Sequence, residues 1–159
     1  MGIGTLGIVD NDKIELSNLN RQIIYSNDDI GKFKVDVAQK KIKKINNKSL
    51  IKSYRLRAGE KNIKNLIKNF DIICDGTDNF VTRLLINDHC FKQKKILISA
   101  AVSGFIGHIF KFDFREKTPC FRCYMPEIPN IDNNCQTEGV TPTITGTMGT
   151  LQANEVLNS

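Results

Sequence analysis

Along the chain, short apolar runs alternate with stretches in which apolar positions recur at helical spacing. Thr5 to Val9 reads as a short buried strand that ends in the acidic pair Asp10 and Asp12. Val35, Ala38, Ile42 and Ile45 then recur every three or four residues, which predicts an amphipathic helix over Gly31 to Asn46 with lysines on its outer face. Leu50 to Leu56 alternates loosely as a strand does, and Lys61 to Asn69 reads as a short helix. Asp71 to Cys74 is an apolar strand in which Cys74 is expected in the core. It is closed by Asp75-Gly76-Thr77-Asp78-Asn79, a cluster of turn and cap residues from which a helix over Phe80 to Lys92 starts, with Cys90 expected buried on it. Ile96 to Ala100 is a fully apolar strand, and Phe110, Phe112 and Phe114 alternate with charged residues as in a strand with one dry face. Pro119 to Pro142 holds all four prolines and reads mostly as loop, and a last helix is expected to begin near Thr147.

Strands alternating with helices predict an α/β fold, a Rossmann-like and mostly parallel sheet flanked by helices, spanning residues 1–159 as a single domain. In such sheets ligands bind beyond the carboxyl ends of the strands, where Asp10, Asp12, Asp75 and Asp78 stand. An Asp at a strand-to-helix junction is also an ordinary cap, so position alone does not decide between the two.

Charge changes the picture only locally. The chain carries a formal +6, but Lys32 to Lys68 holds 13 basic residues against two acids, an excess of +11. Phe33 is the single aromatic residue among the lysines of this helix, too few for a stacking platform, so the pattern fits a solvated helix face or an acidic-partner surface better than a nucleic-acid platform. No apolar run is long enough to cross a bilayer, and the amino-terminal residues lack the pattern of a signal peptide. Five cysteines, an odd number, fit a reducing compartment, and a cytoplasmic location is expected.

The candidate chemistry begins at Ser17-Asn18-Leu19-Asn20-Arg21-Gln22, shortly after the first strand. These residues can hydrogen-bond phosphate, Arg21 as a bidentate fork, and Lys34 could add a point charge to the same anion. Asp10 is placed to accept from ribose hydroxyls, and Asp78 could hold a magnesium ion that bridges phosphates. Together they describe a nucleoside triphosphate site. Cys120-Phe121-Arg122-Cys123 is a knuckle able to bring two thiolates onto one metal.

The full series is Asp10-x-Asp12, Ser17-Asn18-Leu19-Asn20-Arg21-Gln22, Gly31-x-x-Lys34, Asp75-x-Thr77-Asp78-Asn79, Pro119-Cys120-x-x-Cys123 and Cys135-x-x-x-Gly139-Val140, with Gly146-x-x-Gly149-Thr150-Leu151-Gln152-Ala153 near the end. In this order they resemble the MoeB/ThiF/HesA family, the bacterial relatives of ubiquitin-activating enzymes. The resemblance implies ATP-dependent adenylylation of the C-terminal glycine of a ubiquitin-like sulfur carrier, for molybdopterin or thiamine biosynthesis. By similarity Arg21 and Lys34 neutralise phosphates and Asp78 holds Mg2+. Asp10, Asp12, Asn18, Gln22 and Asn79 complete the ATP site. Cys120 and Cys123 form half of a zinc site, and Cys135 is the loop thiol that could join carrier or sulfur. A homodimer, a persulfide sulfur donor, and no nucleic-acid or membrane partner are implied as well.

The resemblance also implies that the family's first strand, first helix and glycine-rich phosphate loop are missing from this sequence, as is the second C-x-x-C pair. On that footing a non-catalytic carrier-binding module, or an inactive fragment, is the alternative to an active adenylyltransferase. A nucleotide-linked redox domain of Rossmann type has no place for the Ser17–Gln22 segment or the cysteine knuckle.

Overall fold

The computed structural model describes residues 2–127 and 139–159, which form two compact units, one up to Ala58 and one over Gly59–Ser159. In the first unit β1 (Thr5–Val9) pairs in parallel with β2 (Leu50–Tyr54), Thr5 against Leu50 and Val9 against Tyr54. Parallel neighbours need a crossover, and α1 (Lys34–Ile45) supplies it, burying Val35, Val37 and Ala38. The helix starts three residues later than its pattern suggests. Gly31 is held at φ +83° and the chain is pinned back by Gly31 N–H donating to Ile14 O at 2.8 Å and Ile14 N–H donating to Lys32 O at 2.9 Å. The expectation of a buried first strand is corrected: Thr5 and Val9 are exposed and Leu6, Gly7 and Ile8 only half-buried.

Two 3-10 turns, Leu16–Asn18 and Asn27–Asp29, give shape to the connection between β1 and α1. Asp29 is buried in the second turn, accepting from Ser26 N at 3.0 Å and Ser26 Oγ at 2.8 Å and pairing with Lys41 and Lys32. The hydrogen bonds from Lys41 and then Ser26 hold its carboxyl well below the usual carboxylate range. A carboxyl depressed in the folded state stabilises the fold above its unfolded pKa of about 4, and that contribution is lost as pH falls towards the folded value. Asp29→Asn is therefore expected to lower the urea midpoint at pH 7, with the gap to the parent closing below about pH 4. A gap that stays constant with pH would show that the carboxylate charge is not what matters.

The second unit holds a three-stranded sheet in the order β3-β4-β5. Strand β3 (Ile72–Asp75) runs parallel to β4 (Ile96–Ser103), with α3 (Phe80–Lys92) in the crossover. Strand β5 (Ile106–Asp113) returns antiparallel to β4 through a tight turn at Gly104, φ +55°. The core lies around Ile96, Leu97 and Ile98 with Leu84, Ile86, Phe112, Phe114, Phe121 and Met148. Helix α2 (Ile63–Lys68) buries Ile63 and Ile67 and meets the end of α3, where Gln93 Nε2 donates to Lys64 O.

Three expectations change here. Cys74 is exposed on β3 instead of in the core, because the inward position at that end of the strand belongs to Asp75. A short helix, α4 (Phe121–Tyr124), interrupts the proline-rich stretch. The last helix, α5 (Pro142–Leu157), begins at Pro142, since a proline at the first helical position gives up no needed donor. Helix α5 lies so close to β5 that a Cβ on Gly107 would stand 2.5 Å from Met148 Sδ and 2.6 Å from Met148 Cγ. Among the described residues no helix is long and apolar enough to cross a membrane.

Candidate functional site

The first unit brings Asp10, Asp12 and Lys34 together. Lys34 opens α1 with its side chain buried, and its ammonium donates to Asp12 Oδ2 at 2.9 Å, with Asp10 Oδ2 at 4.0 Å. Asp12 N–H donates back to Asp10 Oδ1 at 2.7 Å, so the end of β1 closes into an acidic turn facing one cation. Tyr25, absent from the sequence candidates, donates its hydroxyl to Lys34 O at 3.2 Å. Burial, with the charges of Asp10 and Asp29 behind it, pushes that phenol up to about 12, which keeps it a proton donor.

Asn18 ends the first 3-10 turn, and Arg21 and Gln22 follow it, their N–H groups donating to Asn18 O. Asn18 is buried and its Oδ1 accepts from Glu15 N at 3.1 Å, while its carbonyl accepts from Gln22 N at 2.9 Å. Its polar atoms are used to shape the turn. Arg21 is half-exposed, with Nη1 donating to Ser17 O at 2.8 Å and Asn20 Oδ1 at 3.0 Å, which aims the guanidinium without neutralising it. Gln22 Oε1 is buried with no hydrogen-bond partner among the described residues.

In the second unit the centre is Asp75, 1% exposed at the end of β3. One carboxylate oxygen, Oδ1, accepts from Thr77 N at 2.9 Å and Thr77 Oγ1 at 2.7 Å. The other, Oδ2, accepts from Ser99 Oγ at 2.7 Å and lies 3.1 Å from Arg83 Nε. Arg83 Nη2 donates onward to Thr77 O at 2.5 Å and Ala100 O at 3.1 Å. Gln152 on α5 donates Nε2 to Asp75 O at 2.9 Å and Ile98 O at 2.8 Å, bridging the ends of β3 and β4. The loop that leaves this network carries Asp78 and Asn79. Asn79 is the N-cap of α3 and accepts from Thr82 N at 2.9 Å. The Asp78 carboxylate is exposed, and its Oδ1 accepts a long 3.3 Å hydrogen bond from Asn79 Nδ2. Such an open carboxylate offers oxygen ligands of the kind a hard divalent cation takes.

Cys120 is the N-cap of α4 and its Sγ lies 3.8 Å from Cys123 Sγ. Two thiolates on one tetrahedral zinc, with Zn–S bonds of about 2.3 Å, stand about 3.8 Å apart, so the pair fits that metal. Burial alone would raise the Cys120 thiol, but N–H groups of Cys123 and Arg122, the Cys123 thiol and Asn87 outweigh it and lower the pKa. The knuckle is held to α3 at two points. Buried Asn87 accepts from Phe121 N at 2.9 Å, and Asp88 pairs with the Arg122 fork at 2.8 and 2.7 Å. No cluster of three or more His, Cys, Asp or Glu side chains suited to a metal occurs among the described residues. Cys135 lies outside the described residues. Cys90 is fully buried and burial pushes its thiol up to about 12, so it stays protonated.

Arg83, Ser99 and Gln152 were not among the sequence candidates. The available signal was Arg83 and Asn87 at i and i+4 on the same helix face as Cys90, polar groups where a core stripe was expected.

Parallel strand pairs joined by helical crossovers define an α/β fold of the Rossmann-like type. Comparison narrows this: the chain belongs to the ThiF family, whose model matches residues 1–159. A probable molybdopterin-synthase adenylyltransferase of Gracilaria tenuistipitata var. liui is 41% identical over 98% of this chain and 44% of its own length. The adenylyltransferase and sulfurtransferase MOCS3 of Caenorhabditis briggsae is 37% identical over 98% of this chain and 39% of its own. Among solved structures, E. coli MccB with ATP superposes with a TM-score of 0.76 at 25% identity, covering 98% of this chain and 48% of MccB. The chain thus spans less than half the length of the curated relatives it matches.

Proposed function

We propose that residues 1–159 act as one ThiF/MoeB-type adenylation domain, activating the C-terminal glycine of a ubiquitin-like sulfur carrier with MgATP. The relatives named as molybdopterin-synthase adenylyltransferase and MOCS3 favour the molybdopterin pathway over the thiamine one. In this reaction a carboxylate oxygen attacks the α-phosphorus, the bond to pyrophosphate breaks, and an acyl-adenylate forms. A carboxylate attacks phosphorus poorly through a shell of negative oxygens, so the work falls on positioning and charge neutralisation. Lys34 and Arg21 supply positive charge to the phosphates, Asp10 accepts from ribose hydroxyls, and Asp12, Asn18, Gln22 and Asn79 complete the surroundings. Lys34 exchanges its Asp12 partner for phosphate when nucleotide binds, which keeps the buried ammonium paired in both states. Asp78 holds Mg2+, which would screen the charge on the phosphates.

The observation that carries the reading is Asp78: an open carboxylate set at the start of α3 by a loop whose neighbours are fully bonded. The test is carrier-dependent exchange of labelled pyrophosphate into ATP. Exchange is expected, and Asp78→Ala is expected to reduce it at least about tenfold. Carrier binding without exchange would instead favour a non-catalytic docking module.

Cys120 and Cys123 supply two of four zinc thiolates, fixing the fold around α4. Cobalt substituted for zinc is expected to give a thiolate charge-transfer band that Cys120→Ser weakens, and no band would rule the site out. The same reading assigns sulfur transfer from a persulfide donor to Cys135, and takes a cytoplasmic homodimer as the working assembly.

A further inference from the structure

The geometry points to Arg83 as the residue that positions Asp78, an assignment that rests on the reading of Asp78 as a metal ligand. Asp75 already receives three donors from Thr77 and Ser99, so the carboxylate does not need the whole guanidinium. Arg83 uses its Nη2 elsewhere, on Thr77 O and Ala100 O. The Thr77 carbonyl belongs to the peptide that joins Thr77 to Asp78, so the bond from Arg83 sets the plane from which the Asp78 backbone departs. On the other side Asn79 is fixed by the N–H of Thr82. The backbone is thereby held before and after Asp78, while its side chain is left with one long contact to Asn79. A ligand carboxylate prepared in this way loses little freedom when a cation arrives.

The loop needs the restraint. Gly76 lies within it with no atom within 4 Å of where a Cβ would stand, so neither a side chain nor packing stiffens that residue. Arg83 is buried, and its Cζ lies 5.9 Å from the centre of the Phe121 ring, so the tether is itself anchored in the core. A lysine at this position keeps the charge facing Asp75 but lacks the planar fork that reaches Asp75 and the two carbonyls together.

The experiment titrates the chain with Mn2+ in the presence of less than one equivalent of ATP, reading free Mn2+ by electron paramagnetic resonance against the same titration of ATP alone. ATP binding in EDTA and thermal melting are measured alongside. Asp78→Asn is expected to weaken Mn2+ binding at least about tenfold, and Arg83→Lys to weaken it by about tenfold. Arg83→Lys gives up the bonds to Thr77 O and Ala100 O and should lower the melt, yet leave metal-free ATP affinity unchanged, a split that a general loosening of the fold would not produce. Thr77→Val, which removes one bond from the loop to Asp75 and spares the ion pair, should shift Mn2+ binding in the same direction.

Arg83→Lys binding Mn2+ like the parent, with Asp78→Asn defective, overturns the positioning role alone. If Arg83→Lys does not fold, unchanged Mn2+ binding by Thr77→Val overturns it. An Asp78→Asn variant that binds like the parent, or a parent that holds no Mn2+ beyond what ATP alone holds, removes the metal reading of Asp78 and this inference with it.

Discussion

Asp75→Leu is expected to lower the unfolding free energy of the chain by about 3 to 5 kcal/mol, the usual cost of breaking a buried ion pair by removing one partner. The substitution takes the counter-charge from Arg83, whose side chain is 7% exposed, and strands the Ser99 hydroxyl and the Thr77 donors. The cost lies mainly in the charge left behind. Asp75→Leu/Arg83→Leu should therefore recover a substantial part of the loss, because an apolar pair of similar volume leaves no buried ion. Urea unfolding followed by circular dichroism reads both variants. A single mutant within 1 kcal/mol of the parent, or a double mutant as weak as the sum of the two singles, would show that Asp75 and Arg83 do not act as a pair.

Phe121→Ala should cost a similar amount, about 3 to 5 kcal/mol, for a different reason. Phe121 is 2% exposed, with its ring edge-on to Phe110 at 5.4 Å and to Phe112 at 6.3 Å, and Arg83 lies over its face. Truncation opens a cavity between α4 and the sheet that the strands are too well paired to close. The control is Phe105→Ala in the β4–β5 turn, where the ring is 83% exposed and the change should stay within about 0.5 kcal/mol. Equal effects at the two positions would mean that α4 is not packed as described.

Helix α3 was legible to the residue because Asn79 is both the end of a turn cluster and a strong cap, so two local signals agree on one boundary. The strands at Ile72 and Ile96 were legible from apolar runs too short to be anything else. Local signals failed where partners far apart in sequence decide the outcome. Cys74 and Asp75 look like core and turn, but Ser99 on the neighbouring strand and Arg83 on α3 draw Asp75 inward, leaving Cys74 on the outside. Gln152 reads as an ordinary polar residue of a helix, and its role exists only because α5 passes over the ends of β3 and β4. Pro142 reads as loop from sequence because proline marks breaks more often than starts, whereas it opens α5. At the site, Asp10, Lys34 and Asp78 could be chosen from motif and charge. The partners of Asp75 were harder to choose, since Arg83 and Asn87 on the core face of α3 mark buried polar groups without saying which residues they meet.

The close approach of α5 to β5 ties two distant positions into one evolutionary unit. A methyl group added at Gly107 meets the Met148 thioether before it meets anything else, with Ile144 Cγ2 next at 3.4 Å. Gly107→Ala is thus tolerated only as far as Met148 swings aside, and a shorter residue at position 148 without a larger one at 107 leaves a void. Each change alone disturbs the packing between α5 and β5, while the two together come closer to preserving the volume. A larger residue at position 107 is therefore expected to be accompanied by a smaller one at position 148.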